Sequence, residues 1–307
     1  MATTLKQRRR PSSPAGYGFT QLSYGRRLLL LACIFVAMMV LAGSASTLAA
    51  SFYPPGSREC LIATSVLQNI IGFCGTALLT SIFVSTSPLR MLGMRGRITA
   101  RALLGVLLMF AAGLPMLNQV TWWNTQMHLP AFMHQVEAVM RQMEESALSA
   151  TSTMLDSKTI GGLIVNIIVI GVFTGFSEEL CFRGAIQRVI ASGAGVNRHM
   201  AVWLAAVIFS LLHFQFFGFL PRVLLGAFFG YLLLWTGSIY VSAAAHALNN
   251  SLYVLLHWLQ LRGDVPENVD SFGVTIHGFP AYACVSLALL ICMLVGLRRY
   301  FFSSSAS

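Results

Sequence analysis

Long apolar runs separated by short basic segments dominate the chain. Eight of them, at roughly 28–50, 61–84, 102–121, 160–182, 199–217, 220–236, 239–258 and 280–297, are near 20 residues. Each is long enough to cross about 30 Å of hydrocarbon at about 1.5 Å per residue. The pattern predicts an all-α polytopic membrane protein with about eight transmembrane helices, since a helix satisfies its own backbone in lipid. The segment 122–159 is different. Trp122 and Trp123 open it, and Met133, Val136, Met140 and Met143 follow at helical spacing, interleaved with Glu137, Glu144 and Glu145. That spacing predicts an amphipathic helix lying in the outer interface with its aromatics as anchors, either a lid or an inert surface helix, the inert reading being favoured. The loop 260–279, with Asp264, Glu267 and Asp270, is expected to be simply solvated.

Composition narrows the class. With 56% hydrophobic and 10% charged residues over 307 positions, and a mean hydropathy of +0.72, the chain is too apolar for a soluble domain of its length. The formal charge of +10 raises nucleic acid as a partner. The basic residues, however, lie in short segments between apolar runs and not along one exposed face, so topology explains them and no nucleic-acid partner is expected. A cytoplasmic amino terminus puts fifteen of the twenty Lys and Arg inside and leaves Arg58, Arg141, Lys158, Arg222 and Arg262 outside. This bias favours both termini in the cytoplasm, and a bacterial inner membrane is the simplest setting. Residues 1–27 form a polar basic tail suited to an anionic leaflet. The first run exceeds the usual apolar core of a secretory signal, so it reads as a span. Six scattered cysteines lack the paired spacing of a zinc or disulfide framework and read as packing residues.

Three polar islands interrupt the apolar runs of the second half. Ionisable side chains at membrane depth are costly and persist where a partner or a reaction needs them. Glu178 and Glu179 are adjacent, about 100° apart on a helix, and Glu179 precedes Arg183 by four residues in the order that favours an ion pair. Glu178 is then the unpaired carboxylate, suited to general base or acid chemistry; the bland alternative is a pair of headgroup-level charges. Phe209 and His213 share one helical face, as do His246 and Asn250. A lone histidine is often a satisfied core residue, and His246 with Asn250 would also serve as an interhelical clamp. Two imidazoles, a free carboxylate and an amide on three spans exceed what a clamp requires.

Depth tests whether these groups can meet. Counted from the cytoplasmic ends of their runs, His213 lies about 21 Å in and His246 about 10 Å in. Glu178 reaches about 20 Å if its helix continues to Ser192, with Gly193 as its C-terminal cap. That longer helix requires a polar cavity around Arg183, Gln187 and Arg188, with water entering from the cytoplasmic side.

Glu178-Glu179 with Arg183, Phe209 with His213, and His246 with Asn250 resemble the EExxxR, FxxxH and HxxxN motifs of the CAAX prenyl protease and bacteriocin-processing (Abi, CPBP) family, in the same order. The resemblance covers roughly residues 160–257, and the stretch from His213 to Arg222 is similar to a bacterial branch of the family. The three runs of 28–121 carry no recognisable motif. The resemblance implies that 160–300 is the catalytic core of an intramembrane endopeptidase acting on a membrane-associated, prenylated or hydrophobic peptide. Carried over, Glu178 with His213 activates water, His246 with Asn250 steadies the oxyanion, and Glu179 with Arg183 braces the site. Glu178, His213 and His246 would also make a two-histidine, one-carboxylate set for a divalent metal such as zinc. Asn250 and Arg183 suit charge stabilisation better than ligation, so metal-independent water activation is favoured. A proton-coupled permease and a catalytically idle scaffold are the alternatives from other classes, and loss of cleavage on Glu178→Ala or His213→Ala separates them.

Overall fold

The computed structural model describes residues 22–266, 268 and 271–302. Most of the basic tail, Glu267 and Asp270 therefore lie outside the described residues. Every regular element among those residues is helical. The principal helices are α1 (Tyr24–Ala50), α2 (Arg58–Val84), α3 (Ala100–Thr125), α4 (His134–Leu155), α5 (Ile160–Ala191), α6 (Arg198–Leu211), α7 (Phe219–Thr236), α8 (Ile239–Arg262) and α9 (Ala281–Gly296). A short helix, α10 (Arg298–Phe302), follows α9. Apart from α4 and α10, each coincides with one of the eight apolar runs. Five helices are long and apolar enough to cross a membrane by length and composition, namely α1, α2, α3, α5 and the Phe216–Thr236 stretch containing α7; α6 and α9 are shorter and apolar. The six cysteines are free thiols.

Helix α5 is the centre of the bundle and packs against α2, α6, α7 and α8. It runs 32 residues to Ala191, the longer of the two lengths that the sequence allows. Its end differs from the expected glycine cap. Ser192 stays right-handed, Gly195 takes the positive φ, and the Tyr24 hydroxyl of α1 donates to the Ile190 carbonyl at 3.2 Å. Gly193 instead lies against the Tyr24 ring, where a Cβ would come within 2.7 Å.

Two segments of α5, Ile167–Thr174 and Leu180–Gln187, are π-helical, as is Gln68–Cys74 of α2. Such i→i+5 segments concentrate at functional sites, and here two of them flank Glu178 and Glu179.

Buried polar side chains repair the backbone where it breaks. Pro115 interrupts α3, so it is an interior proline and not an end signal. Ser286 of α9 accepts from the Met116 N–H at 3.2 Å and donates to the Ala112 carbonyl at 2.5 Å, which satisfies the pair that the proline opens. The loop after α8 is more than solvated. Gln119, fully buried, bonds both the N–H and the carbonyl of Thr275 at 2.7 and 3.2 Å, and Asn118 holds the Phe272 carbonyl at 2.9 Å.

Helix α4 forms where the sequence places an amphipathic helix, and its polar side bonds to the rest of the protein. Glu144 accepts from the Phe217 N–H at 3.2 Å, Arg141 lies 4.1 Å over the Phe217 ring, and Arg141 bonds Glu137 at 2.6 Å. The Arg141 bond, with the Leu129 N–H and His128, holds the Glu137 carboxyl down to about 2. Polar residues thus turn toward the protein, over the loop that follows His213. Val136, Val139, Met143 and Leu148 are left on the exposed face.

Helix α8 starts inside the molecule, not at its surface. Ile239 is fully buried and its N–H donates to Gly93 at 3.1 Å, so the loop between α2 and α3 lies over the start of α8. Gly96 touches Ser238 so closely that a Cβ would sit 2.4 Å from the Ser238 Cα. Gly96→Val is therefore expected to lower stability by about 1–3 kcal/mol through overpacking, read as a lower apparent Tm in detergent.

Candidate active site

Glu178 and Glu179 sit on α5 between its π segments, and both are buried. Glu179 is completely enclosed. Its Oε1 pairs with Arg183 Nη1 at 2.9 Å and with His246 Nδ1 at 2.8 Å, and its Oε2 lies 2.5 Å from the Ser242 hydroxyl. A carboxylate accepts only, so His246 Nδ1 carries a proton and donates it. Glu179 thus serves two helices: it neutralises Arg183 on its own and orients the imidazole of α8.

Arg183 is buried as deeply as Glu179. Its guanidinium lies 4.4 Å from the Phe209 ring centre and 5.5 Å from that of Phe229, and Nη2 donates to the Gly226 carbonyl at 3.0 Å. Gln187, one turn on, donates to the Gly230 carbonyl at 3.2 Å. Added Cβ atoms at Gly226 and Gly230 would approach Arg183 Nη2 at 3.1 Å and Gln187 Oε1 at 2.6 Å. Small residues one turn apart on α7 therefore admit two polar side chains one turn apart on α5. The wet cavity expected around Arg183 and Gln187 is replaced by this packed interface.

The open space lies on the other side of Glu178. A cavity of about 620 Å³ is lined by Phe35 and Met39 of α1, Ser65, Gln68, Asn69 and Phe73 of α2, Thr174, Glu178 and Phe182 of α5, and Leu212, His213 and Phe214 after α6. His213 Nδ1 is 2.7 Å from the Phe209 carbonyl. The carbonyl can only accept, so Nδ1 is protonated and the neutral ring keeps Nε2 as an acceptor. Phe214 adopts φ +54, uncommon for a bulky residue, where the chain leaves α6 beside the cavity.

His246 lies behind Glu178, with Nε2 3.6 Å from Glu178 Oε2. Its ring stacks on Phe229 at 4.8 Å and meets the Phe209 edge at 5.8 Å. Glu178 is consequently not the isolated carboxylate that the sequence suggests. The depth of about 10 Å inferred for His246 is corrected too: the sunken start of α8 lowers it to the level of Glu178. Gly175 permits the close approach of the two helices, since a Cβ there would lie 3.0 Å from the Ala247 nitrogen.

Asn250 is placed otherwise. Its Nδ2 donates to the Ile170 carbonyl at 3.1 Å in the first π segment of α5, and its Oδ1 accepts from Asn249 at 3.2 Å. The amide proposed for the oxyanion is thereby engaged in tying α8 to α5. Glu178, Glu179, Arg183, His246 and Phe209 form one contiguous group, and His213 joins it through the Phe209 ring at 4.7 Å and the shared cavity.

Three further contributors carry no motif. Ser242 precedes His246 by one helical turn, a spacing that could have flagged it. The Gly226 and Gly230 pair has the small-residue spacing of close helix contacts. Asn69 of α2 accepts from the Ser177 hydroxyl, and its Nδ2 donates to Ser65 O at 2.9 Å and Thr174 Oγ1 at 3.1 Å. It fixes the turn that presents Glu178, and nothing in the sequence of α2 marks it.

Among the described residues no group of three or more His, Cys, Asp or Glu is arranged to hold a metal ion. The trio Glu178, His213 and His246 therefore does not fit a ligand set as it stands, and no chemical step is routed through a metal.

Residues 160–252 match the family described as type II CAAX prenyl endopeptidase Rce1-like, and all six candidate residues fall inside that stretch. A segment of 94 residues, 29% of this chain, is 28% identical to the uncharacterized protein YpbD of Bacillus subtilis (strain 168) and covers 44% of that relative. The chain thus matches less than half of the relative's length. No solved structure matches.

Proposed function

We propose that this chain is an intramembrane endopeptidase that hydrolyses a peptide bond in a membrane-associated substrate lodged in the cavity between α1, α2 and α5. The observation that carries this reading is the placing of Glu178 and His213 on one cavity wall, backed by a histidine clamped to a buried Glu–Arg pair. A water held between the Glu178 carboxylate and the bare Nε2 of His213 gives up a proton to Glu178. The resulting hydroxide attacks the scissile carbonyl carbon, and the C=O electron pair moves to oxygen. His246 Nε2, 3.6 Å from Glu178 Oε2, orients that carboxylate from behind. The proton taken by Glu178 then passes to the amine as the C–N bond breaks, which restores the carboxylate.

Asn250 holds α8 in register rather than touching the oxyanion in this scheme. The bias of basic residues supports an inner-membrane protein with both termini in the cytoplasm. The test is cleavage of a library of membrane-associated peptides by purified full-length protein and by Glu178→Gln, with wild type assayed before and after chelation. Product from wild type alone, retained after chelation, is the expected result. Equal turnover by both proteins would reject a hydrolytic role for Glu178, and loss on chelation would reject the metal-free scheme.

A further inference from the structure

A second polar feature lies far from the cavity, at the face where α6 begins and α7 and α9 end. There a pocket of about 300 Å³ is lined by Arg198, His199, Trp235, Arg298, Arg299 and Phe302, with Leu234. Three arginines line it, and among the described residues none has a carboxylate within ion-pair distance. Arg298 lies 5.4 Å over the Trp235 ring, and His199 Nδ1 is 3.2 Å from the Tyr231 hydroxyl. Cations gathered without counter-charge repel one another and create a strong local field for an anion.

The second observation is independent of charge. Trp235 and the neighbouring Tyr231 also wall a groove of about 210 Å³ whose lining is almost wholly apolar, including Gly113, Trp203, Leu224, Phe228 and Leu294 from four helices. From Trp235 to Leu224 the groove follows α7 for about 16 Å. That is roughly half the 30 Å hydrocarbon thickness, or one leaflet. The basic pocket stands at one end of this groove and shares Trp235 with it.

We infer that pocket and groove form one binding site for an anionic phospholipid, with the headgroup phosphate on Arg198, Arg298 and Arg299 and one acyl chain lying along α7 past Gly113. The charge selects the headgroup, and the apolar wall selects a lipid over a soluble phosphate. Basic pockets between membrane helices bind anionic headgroups on this physical basis. Occupancy would also hold α10, whose Phe302 is buried beside the pocket, to the end of the bundle.

Native mass spectrometry of the delipidated full chain in detergent tests this, with phosphatidylglycerol, phosphatidylcholine and inorganic phosphate titrated separately. One phosphatidylglycerol is expected to bind at least about tenfold more tightly than phosphatidylcholine, with affinity falling as salt is raised. Arg298→Gln with Arg299→Gln should weaken phosphatidylglycerol by about 25-fold, at roughly fivefold per arginine. Gly113→Leu, at a position where a Cβ meets only Leu290 at 3.7 Å, should fill the groove and weaken the lipid without altering any effect of inorganic phosphate. Equal binding of the two lipids, or a salt-independent affinity in wild type, overturns the proposal. So does inorganic phosphate binding as tightly as phosphatidylglycerol with Gly113→Leu neutral, the result that would indicate a soluble phosphate ligand.

Discussion

Glu178→Gln is expected to lower peptide hydrolysis by roughly 10²–10⁴-fold, the range lost when a positioned general base is removed. The amide keeps the size of the side chain and the approach to His246 Nε2 but cannot take a proton from water. Because Glu178 makes no ion pair with Arg183, whose partner is Glu179, the change should leave the buried framework and the apparent Tm nearly unaltered. His213→Leu should cost less, since it removes an acceptor for the water and leaves the base in place. Activity retained by Glu178→Gln with a normal fold would remove the carboxylate from the chemistry. The permease and scaffold readings predict no cleavage by wild type either: the substitution would cost a permease its solute flux and would leave a scaffold's phenotype unchanged.

The helices and the site were legible in the sequence to different degrees, for physical reasons. Lipid demands about 20 apolar residues per crossing, so the helices announce themselves in hydropathy: five among the described residues are long and apolar enough to cross a membrane, and two shorter ones are apolar. Charges inside such runs are costly, and that made Glu178, Glu179 and Arg183 conspicuous. Their partners were not. Ser242 and Asn69 are short polar residues that a helix tolerates anywhere, and only the folded bundle shows that one meets Glu179 and the other fixes Ser177. The π segments were invisible because a 3.6-residue period fits the apolar pattern just as well. The wet side of Glu178 was misplaced for a related reason. Arg183 and Gln187 look solvated in sequence, whereas the carbonyls of Gly226 and Gly230 receive them in the packed interior. Depth counting failed for His246 because it assumed that every helix begins at the membrane surface, and α8 begins beneath the Gly93–Gly96 loop.

Arg183→Met should be the most destabilising single change, at about 3–5 kcal/mol, the cost of leaving one member of a fully buried pair without its partner. Methionine approximates the stem of the arginine, so volume is largely conserved and the loss is electrostatic. Glu179 would keep its contacts with His246 and Ser242 but lose the Arg183 guanidinium. Lysine should not rescue the site. Its ammonium cannot at once pair with Glu179, reach the Gly226 carbonyl and lie flat between the rings of Phe209 and Phe229. The measurement is the apparent Tm in detergent, expected to fall on the order of 10 °C, alongside turnover. Adding Glu179→Gln to Arg183→Met separates stability from function. With the orphan charge gone, much of the Tm should return, because a buried pair replaced by neutral groups is often near neutral in stability. Turnover should stay low, since an amide no longer fixes His246 Nδ1 as the donor and the ring behind Glu178 loses its orientation. A double variant that recovered both Tm and turnover would show that Glu179 and Arg183 only fill space, and that His246 needs no carboxylate behind it.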